Sequence, residues 1–367
     1  MAIQFTGGKV LFNANLYALY DFSSFTFTSA NVSGSTPPTI QLLRAVYTSS
    51  ASGSAFAGNP SYFTTGSFQG YQIWTVPATA TYEIEAAGAR SGIAVYPTTT
   101  PKTYWGGAII KGRYNLTQGQ KVVMVIGQTG STPTGTGLAY NGPGGGGGTY
   151  FVLSGSNTPI IIAGGAGAGA AYSGDSTGGG ILRSGSNGQT TMSGSTSWGG
   201  GAGGTGSLGG MAHRNITGSV SINIYDGGGG GGFSGSGYNG DGTITKPFTS
   251  TTYGGGGLSF LAGATGGTAA SSYTPLQATV GGFGGGGGGG PITAGAGGGY
   301  SGGGGGYRSV GTTSDGGGGG GSFAGLGVTS LATSNGLYEN LSTFSGSAIT
   351  NLNSFNSGSG YIKITRL

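Results

Sequence analysis

The chain has 367 residues, of which 92 are glycine and 12 proline, yet only 6% are charged while 35% are hydrophobic and 11% aromatic. Gly plus Pro near this level without a period points to low complexity or disorder, but disordered chains pair low hydrophobicity with high net charge, so a core is expected. The net charge of +5 comes from 13 basic and 8 acidic residues spread thinly, which excludes a basic nucleic-acid footprint, and the lack of cysteine excludes disulfides, thiolate zinc sites and cysteine nucleophiles.

In chain order, Val10–Phe12 and Phe25–Thr28 read as short strands. Pro37-Pro38-Thr39 then precedes one short helix over 40–47, capped by Thr36 or Thr39, with residues 40, 43, 46 and 47 on its apolar face. The Ser/Gly-rich stretch 49–59 reads as a loop. Residues 71–77 and 78–89 alternate as strands, with Ile73, Tyr82, Ile84 and Ala86 suited to a buried face. A strand pair over 108–114 and 121–128 turns at Gln118-Gly119-Gln120, a hairpin joins 149–153 to 159–163 through Ser156-Asn157, and a last strand covers 359–365. Short strands at roughly ten-residue spacing predict an all-β antiparallel sandwich.

Between about 142 and 325 lie the glycine runs: 144–148, 164–169 with interruptions, 178–180, 199–204 with interruptions, 227–232, 254–257, 284–290, 297–306 with interruptions, and 316–321. Collagen is excluded, because there is no strict Gly-X-Y repeat. Each glycine costs about 0.5–1 kcal/mol relative to alanine in regular structure. Flexible linkers separated by aromatic segments make poor use of that cost. Bare extended backbones can instead satisfy one another's N–H and C=O groups, which predicts an ordered bundle of polyglycine helices. The connectors then become loop tips. Tyr238, Asn239, Asp241, Tyr253, Tyr273, Tyr300 and Tyr307 are the candidate recognition residues, since Tyr with Ser, Gly and Asn gives adaptable contact at low entropic cost. The alternative for such aromatics is to plug the bundle edges against the sandwich.

The string Ile73-Trp74-Thr75-Val76-Pro77-Ala78-Thr79-Ala80-Thr81-Tyr82-Glu83-Ile84-Glu85-Ala86-Ala87-Gly88-Ala89 resembles the opening of the glycine-rich domain family found in the ectodomains of anaplastic lymphoma kinase and leukocyte tyrosine kinase. Gly107–Gly112, Leu116–Val122, Val125–Gly130, Gly146–Val152, Ile160–Gly165 and the closing Gly358–Ile364 follow in the same order. The resemblance implies a jelly-roll, tumour-necrosis-factor-like sandwich with an inserted polyglycine-II bundle. It does not extend to the receptors' cysteines, membrane span or kinase domain, so receptor function is not carried over. Tyr20–Thr28 and Gly34–Leu43 look like the N-terminal segment of glycine-rich virion proteins of aquatic phages and algal viruses. The glycine bundle is also similar, in composition, to tail-fibre-tip adhesins of T-even-like phages.

These readings divide the chain into an N-terminal attachment segment, 1–68, and a glycine-rich domain, 69–367, with its sandwich in 69–165 and 322–367 and its bundle in about 142–325. No signal peptide and no apolar run long enough for a membrane helix is visible, so a virion surface location without membrane insertion is expected. The partners expected are other virion proteins through residues 1–68 and a host surface glycan or protein; nucleic acid is not expected. A homotrimer is expected by analogy with tumour-necrosis-factor-like sandwiches and viral fibres.

Enzyme chemistry has little support. His213 is the one histidine, and a Ser–His–Asp match with Asp175, Asp226, Asp241 or Asp315 means nothing without geometry. Glu83 and Glu85 share one strand face and read as solvent-facing or ion-paired. No P-loop is present. Asn239-Gly240-Asp241-Gly242 only faintly echoes a calcium loop. No cofactor or metal is expected, and the sequons at Asn31, Asn115, Asn215 and Asn340 matter only in a glycosylating compartment.

Overall fold

The computed structural model describes residues 3–6, 9–12, 18–93, 105–133, 142–169, 198–215, 226–250, 253–270, 279–307, 316–334, 350–352 and 355–367. Its described strands are β1 (Ile3–Thr6), β2 (Lys9–Phe12), β3 (Ser24–Phe27), β4 (Phe63–Thr65), β5 (Gln72–Thr75), β6 (Ala80–Ala87), β7 (Ile109–Leu116), β8 (Lys121–Val125), β9 (Thr149–Leu153), β10 (Thr158–Ala163), β11 (Trp198–Gly200), β12 (His213–Asn215), β13 (Phe323–Ala324), β14 (Thr329–Ser334), β15 (Thr350–Leu352) and β16 (Tyr361–Arg366). Two six-stranded sheets form, in the orders β15-β14-β7-β6-β16-β3 and β13-β10-β9-β8-β5-β4. All their pairings are antiparallel except β14 with β15. The protein is mostly β, as the spacing of its short strands predicts.

Alternation sets the first sheet. Tyr82, Ile84 and Ala86 of β6 and Ile362 and Ile364 of β16 are buried in the core between the sheets. Opposite them, Trp74, Val122, Met124, Phe151 and Ile161 face inward from the second sheet. Ile73 was expected on this buried face, but it packs instead on the outer face of the second sheet, beside Val123. Strand parity explains the difference, because adjacent residues point to opposite sides and Trp74 takes the inward position.

On the outer face of the first sheet, Glu83 meets Lys111 at 2.7 Å and Arg113 at 3.4 Å, and Tyr361 donates to Glu85 at 2.7 Å. Hydrogen bonding from Lys111 holds the Glu83 carboxyl below its ordinary pKa. A depressed carboxyl stabilises the fold above the unfolded pKa and ceases to do so as pH falls through the folded value. Glu83→Gln should therefore cost under about 1 kcal/mol at neutral pH, as part-exposed pairs do. Urea titrations should show that difference shrinking as the medium is acidified below the ordinary carboxylate range.

The second sheet is buried on both faces, so β8, β9 and β10 read as continuous apolar runs rather than alternating ones. Its outer face carries Tyr71, Val123, Val125, Tyr150, Val152 and Ile162, which pack against Phe233, Phe260 and Phe283 from the glycine-rich region. That region leaves the sheet after β10 and returns at β13, and these two strands pair directly, Ile161 with Ala324 and Ile162 with Phe323.

The helix α1 (Ile40–Thr48) is capped by Thr39, whose hydroxyl accepts from the Leu42 N–H. Leu43 and Tyr47 are buried, whereas Val46, expected on the same face, is exposed. A second short helix, α2 (Ala51–Ser54), occupies the stretch expected to be loop; Ser50 caps it through the Gly53 N–H. Residues 18–68 share the core of the sandwich. Its strand β3 lies beside β16, β4 lies beside β5, and Phe27, Tyr47, Phe56 and Phe63 form one aromatic cluster with Trp74. Of the first sixty-eight residues, only the hairpin β1–β2 pairs with no other described strand.

Candidate recognition surface

Glycine runs dictate the layout of the inserted region. The run 227–232 lies between six other segments, and its bonds repeat every third residue. Gly227 and Gly230 donate to Gly306 and Gly303; Gly228 and Gly231 donate to Gly288 and Gly285; Gly229 and Gly232 donate to Tyr238 and Gly235. In return, Gly254 and Gly257 donate to Asp226 and Gly229, Ala296 and Gly299 donate to Gly228 and Gly231, and Gly210 donates to Gly230. No side chain fits at the glycines of this run. A Cβ on Gly230 would lie 1.9 Å from the Gly297 carbonyl oxygen, and one on Gly228 2.0 Å from that of Gly255.

The registers define two ends. One, at Phe233, abuts the sandwich: Tyr150 of β9 donates to the carbonyls of Gly299 and Gly284 at 3.0 and 3.3 Å, and Tyr71 donates to that of Phe260. Burial raises the pKa of both phenols. The other end, at Asp226, is distal, and carries the 239–250 loop, Tyr253 and Tyr307.

The structure separates the candidates. Asp241 is part-exposed at the distal end, where its carboxylate accepts from the Thr243 N–H at 2.9 Å and hydroxyl at 2.7 Å. Tyr238 and Tyr253 are half-buried. Asn239 and Tyr307 are buried, which corrects their expected place on a binding surface. The Asn239 amide is consumed internally: Nδ2 donates to Thr243 Oγ1 and the Thr245 carbonyl, and Oδ1 accepts from the Gly256 N–H. Tyr300 stacks between Phe233 and Phe323, with ring centroids 6.4 and 4.3 Å away, and plugs the seam. Tyr273 lies outside the described residues. His213 forms part of β12, paired with Gly200.

Sequence reasoning missed two features of the distal loop. Ile244, at its tip, is 58% exposed. Lys246 donates to Asn239 Oδ1 at 2.6 Å and to the Gly256 carbonyl at 2.5 Å. It is the one lysine between Lys121 and Lys363, a signal the sequence did offer. Burial pulls its pKa down to about 8, with nearby Asp241 acting against the fall. The ammonium thus sits on one oxygen, Asn239 Oδ1, of the stretch that echoed a calcium loop. Among the described residues no group of three or more acidic or histidine side chains could hold a metal, and no helix is long and apolar enough to cross a membrane.

No protein-family model matches the chain, and no curated protein matches it.

Proposed function

We propose that this chain is a non-enzymatic surface protein of a virus particle, a tail-fibre or spike component that recognises a host glycan or protein through loops of a polyglycine-II bundle carried on a jelly-roll sandwich. The observation that carries the reading is the three-residue repeat of the bonds around 227–232, since polyglycine-II has three residues per turn and no internal hydrogen bonds. Such a lattice is a stiff stalk. It holds the distal loops, with Ile244, Asp241 and Tyr253, away from the sandwich, and loops on a rigid scaffold are where recognition concentrates. The resemblance of residues 70–367 to the glycine-rich domain family supports the same architecture. The hairpin β1–β2, unpaired with either described sheet, is the natural attachment element toward other virion proteins.

The test is binding of the purified protein to host envelopes. The double variant Ile244→Asp, Tyr253→Ala should bind at least tenfold more weakly with an unchanged melting curve. Absence of binding by the native protein, together with normal adsorption of particles lacking it, would sink the recognition role. Electron microscopy placing the chain at a capsid vertex or fibre shaft would then favour a purely architectural protein.

A further inference from the structure

The distal loop brings together the parts of an amide-transfer site. We propose that Lys246 and Asn239 join through an intramolecular isopeptide bond, closing residues 239–246 into a covalent ring. Nζ lies 2.6 Å from Asn239 Oδ1, and the carbonyl carbon is one C=O bond further, so attacking and attacked atoms are at most about 3.8 Å apart. That is close to a near-attack separation. The Asn239 carbonyl is polarised by the Gly256 N–H at 3.1 Å, the donor a developing oxyanion requires. The leaving nitrogen, Nδ2, contacts Thr243 Oγ1 at 2.9 Å, and that hydroxyl contacts Asp241 Oδ1 at 2.7 Å. Thr243 Oγ1, held in place by the Asp241 carboxylate, is therefore the hydroxyl positioned to hand a proton to the departing nitrogen. Burial brings the amine's pKa down to about 8, which supplies the neutral nucleophile near that pH.

The step balances without a co-reactant. Neutral Nζ forms a bond to Cγ, the Cγ–Nδ2 bond breaks and ammonia departs; Thr243 Oγ1 hands a proton to Nδ2 and is reprotonated, through solvent at this exposed residue, by the proton that Nζ loses. Asn-Gly sequences ordinarily lose ammonia by a different route, attack of the following backbone nitrogen to give a succinimide. Here the Gly240 N–H is engaged by the Gly254 carbonyl at 2.8 Å, a bond that attack on the Asn239 side chain would have to break.

The experiment is intact-mass measurement of the full chain, folded and held at pH 8, followed by fragmentation of the peptide containing both residues. The native protein should be lighter than its sequence by one ammonia, with no fragment ions between positions 239 and 246. Lys246→Arg keeps a cation for the same oxygens and should show the full mass. Asp241→Asn should slow the loss at least tenfold. A native protein of full mass with an intact fold overturns the proposal. So does ammonia loss that persists in Lys246→Arg, or that hydroxylamine cleaves after residue 239, since either marks a succinimide.

Discussion

Gly230→Ala should unfold the inserted region. The new methyl would sit 1.9 Å from the Gly297 carbonyl oxygen and 3.0 Å from the Gly303 nitrogen, and both obstacles are backbone, so no rotamer relieves them. Overpacking costs about 1–3 kcal/mol and occasionally more. Parting the segments also forfeits the Gly230–Gly303 and Gly210–Gly230 bonds, each worth about 0.5–1.5 kcal/mol. A loss of about 2–6 kcal/mol is expected, a large share of the ~5–15 kcal/mol that holds a typical domain together. Gly58→Ala is the control: Gly58 is exposed, and its added methyl would meet only the Thr48 Cγ2 at 3.8 Å. It should stay within about 0.5 kcal/mol of the native protein. Urea unfolding of the two variants decides the matter, and a Gly230→Ala protein as stable as the control would refute direct backbone packing at that site.

Tyr150 carries the second large effect, because one side chain joins the sandwich to the glycine-rich region. It is wholly buried, its ring lies 5.1 Å from that of Phe260, and its hydroxyl serves the carbonyls of Gly284 and Gly299. Tyr150→Ala should cost about 3–5 kcal/mol, as other large aromatic truncations do. Tyr150→Phe keeps the ring and removes only the donor, taking the hydroxyl from the buried Gly299 carbonyl while that of Gly284 still accepts from the Gly148 N–H, for about 1–3 kcal/mol. Amide hydrogen exchange should show faster exchange at Gly285 and Gly299 in both variants while β6 and β16 stay protected. Uniform loss of protection across both sheets would show that seam and sandwich unfold as one unit instead.

The sequence made most of the sandwich readable. Alternation in residues 80–87 placed Tyr82, Ile84 and Ala86 inward and paired the two glutamates outward, because one face of that sheet meets water. The same rule failed at Ile73 and Trp74, where both faces of the sheet are covered and periodicity carries no information about which is which. Short edge strands such as Phe63–Thr65 and Phe323–Ala324 were missed because two or three residues hold no period; long-range pairing makes them strands. In the candidate surface, composition singled out tyrosines, but exposure is decided by neighbours far along the chain. Tyr300 is partly covered by Phe323, and Tyr150 is buried against Gly299, contacts no local window contains. Lys246 was visible as an isolated charge, yet its partners Asn239 and Gly256 lie on opposite sides of it in sequence.

The glycine-rich region departs from β10 and comes back on its hydrogen-bonded neighbour β13. Both ends of a long insertion are thereby pinned a single strand spacing apart, roughly 4.8 Å. An insertion anchored so narrowly can lengthen, shorten or be exchanged for another without altering the span its scaffold must bridge. Deletion is a different matter: Tyr71, Val125 and Val152 would then face water as a sticky wall. The architecture is that of an interchangeable head on a fixed handle, one in which a replacement head is tolerated and a missing one is not.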